Sequence, residues 1–265
     1  MGTNWKVLSS MSDLINSLCI IVPCYNEQNR INLDEILVFQ SKLDCLVLFV
    51  DDGSKDETNI MLDKFCSTHK NFELLSLPRN VGKARATFKG ISEAKERGYT
   101  LIGTYDADSA VGIEDYLVAK DLLVTRPEID LVSGARILLA GSGITRNNAR
   151  RWISRIVATY VNLIIRQDFY DPQSPCKIFR KSLVSTSSKP KTRWFLDVEL
   201  ILDKRDENHD TRFKDVSILE FPLKNWTDVE HSKVNSGQFF RILRDLFELG
   251  RRRYFLKNKP GTKRY

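Results

Sequence analysis

The 265-residue chain has no long hydrophobic run; its uninterrupted apolar stretches, such as Cys45–Val50, fall far short of the roughly 20 residues a bilayer-spanning helix needs. No transmembrane segment is therefore expected. The stretch Met1–Ser17 lacks a basic start, an apolar run and a small-residue cleavage site, which excludes a secretory leader and predicts a cytoplasmic protein. Cysteine is scarce. Cys19, Cys24, Cys45, Cys66 and Cys176 are odd in number, show no C-x-x-C spacing and mostly sit in apolar stretches, which argues against a disulfide framework or a thiolate metal centre and for buried, reduced thiols. There is also no internal repeat, no low-complexity segment and no linker that divides the chain. One domain is expected over residues 18–235, with an N-terminal extension over 1–17 and an amphipathic helix and basic tail over 236–265.

Charge is unevenly placed. The net charge is +7, and from Arg241 onward nine basic residues face only Asp245 and Glu248, so the rest of the chain is formally neutral. Such a tail attracts anionic surfaces. Beyond Tyr254 and Phe255, which directly follow Arg251-Arg-Arg253, it does not alternate aromatic with basic residues, so no nucleic-acid partner is expected. Arg251-Arg-Arg253 follows Phe239, Phe240, Leu243, Leu246 and Phe247 at helical spacing, which predicts weak, salt-reversible peripheral attachment to a membrane surface.

The apolar stretches that are present set the fold class. Runs rich in β-branched residues recur at Leu18–Val22, Cys45–Val50, Phe72–Leu77, Thr100–Thr104 and Ile129–Val132, and segments of helical spacing such as Glu57–His69 and Lys83–Arg97 separate them. That alternation predicts an α/β fold: a doubly wound, mostly parallel sheet, mixed overall, with helices on both faces. After Gly134 the rhythm changes to a Gly/Ser loop, a long helix from Arg146 to Arg166, a strand at Lys177–Arg180, a helix near Phe195–Asp206, a strand at Ser217–Pro222 and a helix from about Ser236 to Tyr254.

In open parallel sheets ligands bind beyond the carboxyl ends of the strands. Here those ends carry Pro23-Cys-Tyr-Asn-Glu27, Asp51-Asp-Gly-Ser54, Arg79-Asn-Val-Gly-Lys83 and Asp106-Ala-Asp108. Singly, each is ordinary turn or helix-entry chemistry. In this order they converge on one edge. Asp106 and Asp108, two apart on an extended segment, can turn both carboxylates to one hard divalent cation, Mg²⁺ or Mn²⁺, which leaves its other positions for water and phosphate oxygens.

Together these four segments resemble the inverting family 2 glycosyltransferases of the Rossmann-like GT-A type, and most of all the dolichyl-phosphate mannose and glucose synthases and their bacterial polyprenyl-phosphate relatives. The likeness runs from Leu18 to about Tyr254. It implies that Pro23, Tyr25, Glu27 and Asp52 hold the nucleoside of a nucleotide-diphosphate sugar, that Arg79, Gly82 and Lys83 shape the donor pocket, and that Asp106 and Asp108 carry the metal. Relatives acting on lipid phosphates place an arginine after the fifth strand, then an arginine and a serine on an amphipathic helix; Arg136, Arg150 or Arg151, and Ser154 match. Planar guanidinium groups suit phosphate. That helix carries Ile153, Ile156, Val157, Tyr160, Val161 and Ile164 among arginines, which fits either a leaflet-facing surface or packing onto the domain.

Asp171-Pro-Gln-Ser-Pro-Cys-Lys-Ile-Phe-Arg180 is similar to the family's acceptor-side segment, retaining Asp171, Gln173 and Lys177 but departing at Ser174 and Pro175, where Cys and Gly are usual. Asp197-Val-Glu199 matches an aromatic-x-D-x-E element, and Lys233 a basic residue that approaches the donor diphosphate. Ala110 departs from mannosyl relatives with a metal-ligating glutamine there. The resemblance implies single in-line displacement with inversion, transferring a hexose from a nucleotide sugar, UDP-linked by preference and GDP-mannose as the alternative, to a polyprenyl phosphate. A phosphate acceptor is largely ionised at neutral pH and needs no general base. A glycan or other hydroxyl acceptor would need one, and Asp171 or Asp197 would then be catalytic alongside Asp108. A non-catalytic nucleotide-sugar or nucleic-acid binder is the remaining rival; a nucleotidyltransferase would open with a Gly-rich basic loop, where this chain has Pro23-Cys-Tyr-Asn-Glu27.

Overall fold

The computed structural model describes residues 17–145, 148–185, 188, 190–207, 216–227 and 242–251. Strands β1 (Leu18–Cys24), β2 (Leu46–Asp51), β3 (Phe72–Ser76), β4 (Leu101–Thr104), β5 (Leu131–Ala135), β7 (Lys177–Arg180) and β8 (Ile218–Pro222) form a seven-stranded sheet in the order β3-β2-β1-β4-β7-β5-β8. Every pairing is parallel except those of β7, which runs antiparallel between β4 and β5. Two three-residue strands, β6 (Gly143–Thr145) and β9 (Asn225–Thr227), pair with each other beside the main sheet. Neither is legible as a strand in the sequence, because three residues give no periodicity. At Gly143 a β-carbon would meet only the tip of the exposed Asn225 side chain.

The helices are α1 (Leu33–Leu43), α2 (Thr58–Thr68), α3 (Lys83–Glu96), α4 (Ile113–Thr125), α5 (Asn148–Ile165) and α6 (Leu196–Glu207), followed by a helix over 242–251. They lie on both sheet faces, as the continuous apolar strands predict. Along β1 the side chains alternate: Cys19 and Ile21 join a cluster with Ile91 of α3, Val161 of α5, Ile201 of α6 and Leu249, whereas Ile20 and Val22 join one with Phe39 of α1, Leu62 of α2 and Tyr116 of α4. Each such side chain, fully buried, contributes about 1.5–3 kcal/mol.

Two helices have weaker sequence signals, each for a physical reason. In α1 the inward positions are Ile36, Phe39, Gln40 and Leu43, so a polar residue interrupts the apolar stripe; the Gln40 amide is satisfied by donating to the Cys45 carbonyl at 2.9 Å. The helix starts at Asn32, whose side chain accepts from the Glu35 amide, and ends at Asp44 in the left-handed region. In α4, Tyr116, Ala119 and Leu123 are buried while Leu117, Val118 and Val124 stay exposed, so apolar residues encircle the helix and blur its period.

The long helix α5 divides the apolar residues read from sequence into two groups. Val157, Val161 and Ile164 are buried in the core, while Ile153, Ile156 and Tyr160 face outward with Trp152 and Leu163. No helix among the described residues is long and apolar enough to cross a membrane.

Candidate active site at the carboxyl edge of the sheet

The first two strand ends lock together through short polar contacts. Asn26, at φ 53°, turns the chain after β1; its amide donates to the Ser54 hydroxyl and its side chain accepts from the Lys55 amide at 2.8 Å. The Glu27 amide donates to Thr58 Oγ1 at 2.9 Å. Asp51, buried at the end of β2, accepts from the Ser54 amide and hydroxyl and from Asn59. Asn and Asp suit such turns because their short side chains bond nearby backbone.

Asp52 reaches further along the chain. Its carboxylate accepts the amides of Val81 at 2.6 Å and Gly82 at 2.9 Å, tying the loop after β3 to the end of β2. Gly53, at φ 65°, makes that closeness possible, since a β-carbon there would lie 2.6 Å from the Arg79 carbonyl carbon. Asp52, expected at the nucleoside, is thus engaged with the loop after β3, while Pro23 and Tyr25 are half-buried and Arg79 is exposed at the same edge.

The Lys83 ammonium, at the start of α3, contacts Asp106 Oδ1 at 2.7 Å. Partial burial would depress it, but Asp106, Asp108 and, more weakly, Asp197 outweigh that and hold it above its ordinary value. Ser109, at φ 53°, bends the chain just after the acidic pair. Burial, and then the neighbouring Asp106, push the Asp108 carboxyl up, and Arg30, which the sequence motifs do not single out, stands 3.8 Å from Asp108 and 3.4 Å from Glu27. Two neighbouring carboxylates, each approached by a cationic side chain, fit a divalent ion. No group of three or more His, Cys, Asp or Glu gathers for a metal among the described residues, so the remaining oxygens would come from ligand and water.

The other half of the edge is built by β5, β7 and β8. Arg136, just beyond β5, clasps Asp171 in a two-pronged ion pair, Nε to Oδ2 at 2.7 Å and Nη2 to Oδ1 at 2.8 Å; it also donates to the Gln173 carbonyl and lies 5.0 Å over the Trp226 ring. Two residues expected in separate roles, Arg136 at the acceptor and Asp171 in catalysis, are thus one unit. Lys177, buried at the antiparallel start of β7, donates to Asp197 Oδ2 at 2.5 Å and to the Pro172 carbonyl at 2.8 Å. The spacing in the sequence gives no hint of either pairing.

On α5, Arg151 is exposed and the Ser154 hydroxyl donates to the Arg151 carbonyl. Arg155, not among the expected residues, lies 4.0 Å over the Tyr170 ring and donates to the Tyr170 carbonyl. Lys233 and the side chain of Arg150 lie outside the described residues.

Glu220 of β8 is a further residue that no sequence motif marks: its carboxylate accepts the amides of Tyr170 at 2.6 Å and Asp171 at 2.8 Å. Glu220→Ala is expected to lower the unfolding free energy by about 1–3 kcal/mol, measured by denaturant titration with an unchanged m-value. Burial raises the Glu220 carboxyl above its ordinary value despite those two amides. The folded chain then keeps this proton when the unfolded chain has lost it, so stability falls as pH rises from the ordinary carboxyl range through the raised value. Glu220→Gln should flatten that fall.

A mostly parallel sheet with helices on both faces, whose carboxyl edge gathers an acidic pair, a lysine and a glycine-bearing loop, is an α/β fold with its polar residues at the edge where such sheets bind ligands. Residues 19–187 match the family described as Glycosyl transferase family 2; the chain belongs to that family and is a glycosyltransferase. It is 29% identical over 239 residues to a dolichyl-phosphate beta-glucosyltransferase from Homo sapiens, covering 82% of this chain and 69% of the relative. A polyprenol monophosphomannose synthase from Mycolicibacterium smegmatis is 23% identical over 166 residues, 62% of each chain. In fold it is similar to the glucosyl-3-phosphoglycerate synthase from Mycobacterium tuberculosis solved with Mn²⁺, UDP-glucose and phosphoglyceric acid, with a TM-score of 0.63 at 17% identity over 96% of this chain and 85% of that one. The family read from the strand-end motifs is the family found.

Proposed function

We propose that the protein transfers a hexose, with inversion, from a nucleotide-diphosphate sugar to a polyprenyl phosphate at a membrane surface. The observation that carries this reading is the state of the two carboxylates a hydroxyl acceptor would need as base. Asp171 is clasped by Arg136 and Asp197 by Lys177, each within a close ion pair. A cation so placed favours the ionised carboxylate but competes for the lone pairs that would take a proton. A phosphate acceptor has no such need, being already largely ionised at neutral pH. The relatives named for dolichyl phosphate and polyprenol support the same acceptor class.

In this reading the strand ends around Pro23, Tyr25, Glu27 and Asp52 bind the nucleoside, with Arg79, Gly82 and Lys83 beside it. Asp106 and Asp108 hold Mg²⁺ or Mn²⁺, which, when bound, offsets charge on the diphosphate leaving group. The neighbour solved with Mn²⁺ and UDP-glucose supports a divalent ion and a UDP-linked sugar, with GDP-mannose the alternative. Arg136, Gln173, Arg151, Arg150 and Ser154 serve the acceptor side, Lys233 the donor diphosphate. Residues 18–235 form the catalytic domain, and 236–265, with the outward face of α5, meet the cytoplasmic leaflet peripherally. The chain's part in the reaction is to orient attacking phosphate and anomeric carbon in line and to exclude water.

Purified protein assayed with UDP- and GDP-sugars in Mn²⁺ or Mg²⁺, with and without a short polyprenyl phosphate, tests this. Transfer is expected only with the lipid phosphate. Equal transfer to a hydroxyl acceptor in its absence would overturn the acceptor assignment.

A further inference from the structure

Arg193 takes no part in the site described above, yet the structure holds it with unusual care. The segment 191–193 is tied by two buried carboxylates: Glu199 accepts the amides of Lys191 at 2.8 Å and Thr192 at 2.6 Å, and Asp245, from the helix over 242–251, accepts the Arg193 amide at 2.6 Å. Glu199 is 2% exposed and Asp245 3%. Burying a carboxylate is costly unless it is well bonded, and burial raises the Glu199 carboxyl despite these bonds. Two such groups fixing three consecutive amides make a rigid strap, and the side chain the strap presents is an exposed guanidinium.

That guanidinium lies across Gly82. A β-carbon on Gly82 would stand 3.6 Å from Arg193 Cζ and 3.7 Å from Nη1, and Gly82 is the residue whose amide Asp52 grips. The next residue, Lys83, reaches Asp106. Lys83, Arg30, Arg136 and Lys177 are each committed to carboxylates, whereas Arg193 makes no ion pair among the described residues. An arginine fixed through its backbone, with its fork open over Gly82 and next to the lysine that reaches Asp106, is built for an anion with planar or tetrahedral oxygens.

We infer that Arg193 binds the diphosphate of the nucleotide sugar, and that Asp245 and Glu199 position it by holding the strap. This rests on the donor reading above and adds a residue to it. The donor rather than the acceptor phosphate is assigned because the Arg193 guanidinium packs on Gly82, in the loop that Asp52 grips and next to Lys83.

The test is calorimetric titration of the full chain, wild type and Arg193→Gln, with UDP, GDP, uridine and guanosine in Mn²⁺. Loss of a charge-assisted phosphate contact is expected to weaken the preferred diphosphate by about 10- to 100-fold and leave its nucleoside unchanged, with Arg193→Lys in between. Asp245→Asn should weaken the diphosphate in wild type but add little in Arg193→Gln, the non-additivity expected of residues that act through one another. Equal weakening of diphosphate and nucleoside would mean a change of pocket shape and overturn the inference. So would unchanged diphosphate affinity with a raised KM for a short polyprenyl phosphate, which would move Arg193 to the acceptor. If the wild type binds neither diphosphate, the donor reading itself falls, and this inference with it.

Discussion

Asp108→Ala is expected to lower kcat/KM by roughly 10²–10³-fold or more while leaving the fold intact, the scale set by removing one group aimed at charge developing in a transition state. The structural reason lies in the asymmetry of the acidic pair. Asp106 has Lys83 at 2.7 Å, so a positive charge remains beside it whatever occupies the site, whereas the nearest cation to Asp108 is Arg30 at 3.8 Å. Burial and Asp106 already disfavour the Asp108 carboxylate, so its removal relieves rather than creates strain in the empty protein. The expected signature is therefore lost turnover at equal or slightly higher melting temperature. Asp108→Asn, which keeps the shape and removes the charge, should be nearly as inactive, and supplementing Mn²⁺ should recover little. Full activity with retained metal dependence in Asp108→Ala would remove Asp108 from the metal site and leave Asp106 to be tested.

Gly53→Ala is expected to be the most damaging single methyl group at the site. The residue sits at φ 65°, where a β-carbon costs about 1–2 kcal/mol from backbone sterics alone. The added carbon would also meet Arg79 Cα at 2.7 Å and the Asn80 nitrogen at 2.8 Å, which are backbone atoms and cannot swing aside. Overpacking of this kind costs about 1–3 kcal/mol more. The loop over 79–82 can relieve the overlap only by drawing away from β2, and that pulls the Val81 and Gly82 amides off Asp52. Thermal unfolding should therefore drop by several degrees and donor KM should rise by at least about tenfold, since the displaced loop carries the pocket wall. Wild-type stability and KM in Gly53→Ala would show that the loop is not held at this distance.

What the sequence discloses of this molecule follows from how its parts are buried. Strands β1 and β2 lie at the centre of a sheet covered on both faces, so they read as unbroken apolar runs, and the polar residues after them stand out as loop ends. Asp52 follows such a strand at once, and Asp106 and Asp108 follow the buried β4 closely, so these motifs stand out, whereas Gly82 and Lys83 come after a half-buried edge strand and are marked by their Arg-Asn-x-Gly-Lys pattern instead. Arg30, Glu220, Asp245 and Arg193 were not legible, because each acts across the fold on a residue remote in sequence, and nothing local distinguishes Arg193 from a surface arginine. Arg136 and Asp171 were found as residues but not as a pair, since their meeting depends on β7 entering between β4 and β5. Likewise α5 showed its apolar residues, but which of them face the core is set by the packing of α6 and the helix over 242–251.

The antiparallel placement of β7 also bears on the order in which the molecule assembles. Strands β1 to β4 and the helices between them are consecutive in sequence and pair among themselves, β1–β2 and β2–β3 locally and β4 back onto β1 with Leu101 beside Leu18, so the part of the edge that carries Asp52, Lys83 and Asp106 can close before β7 is made. The half built by β5, β7 and β8 has no such independence. β5 has no main-sheet contact with β4 except through β7, which arrives only after the whole of α5 has been made. Until that wedge seats, Lys177 cannot reach Asp197 and the Arg136–Asp171 clasp has no platform. The edge that carries Asp52, Lys83 and Asp106 is thus expected to acquire its shape during synthesis before the Arg136–Asp171 side exists, and a chain interrupted before β7 would carry half of the edge.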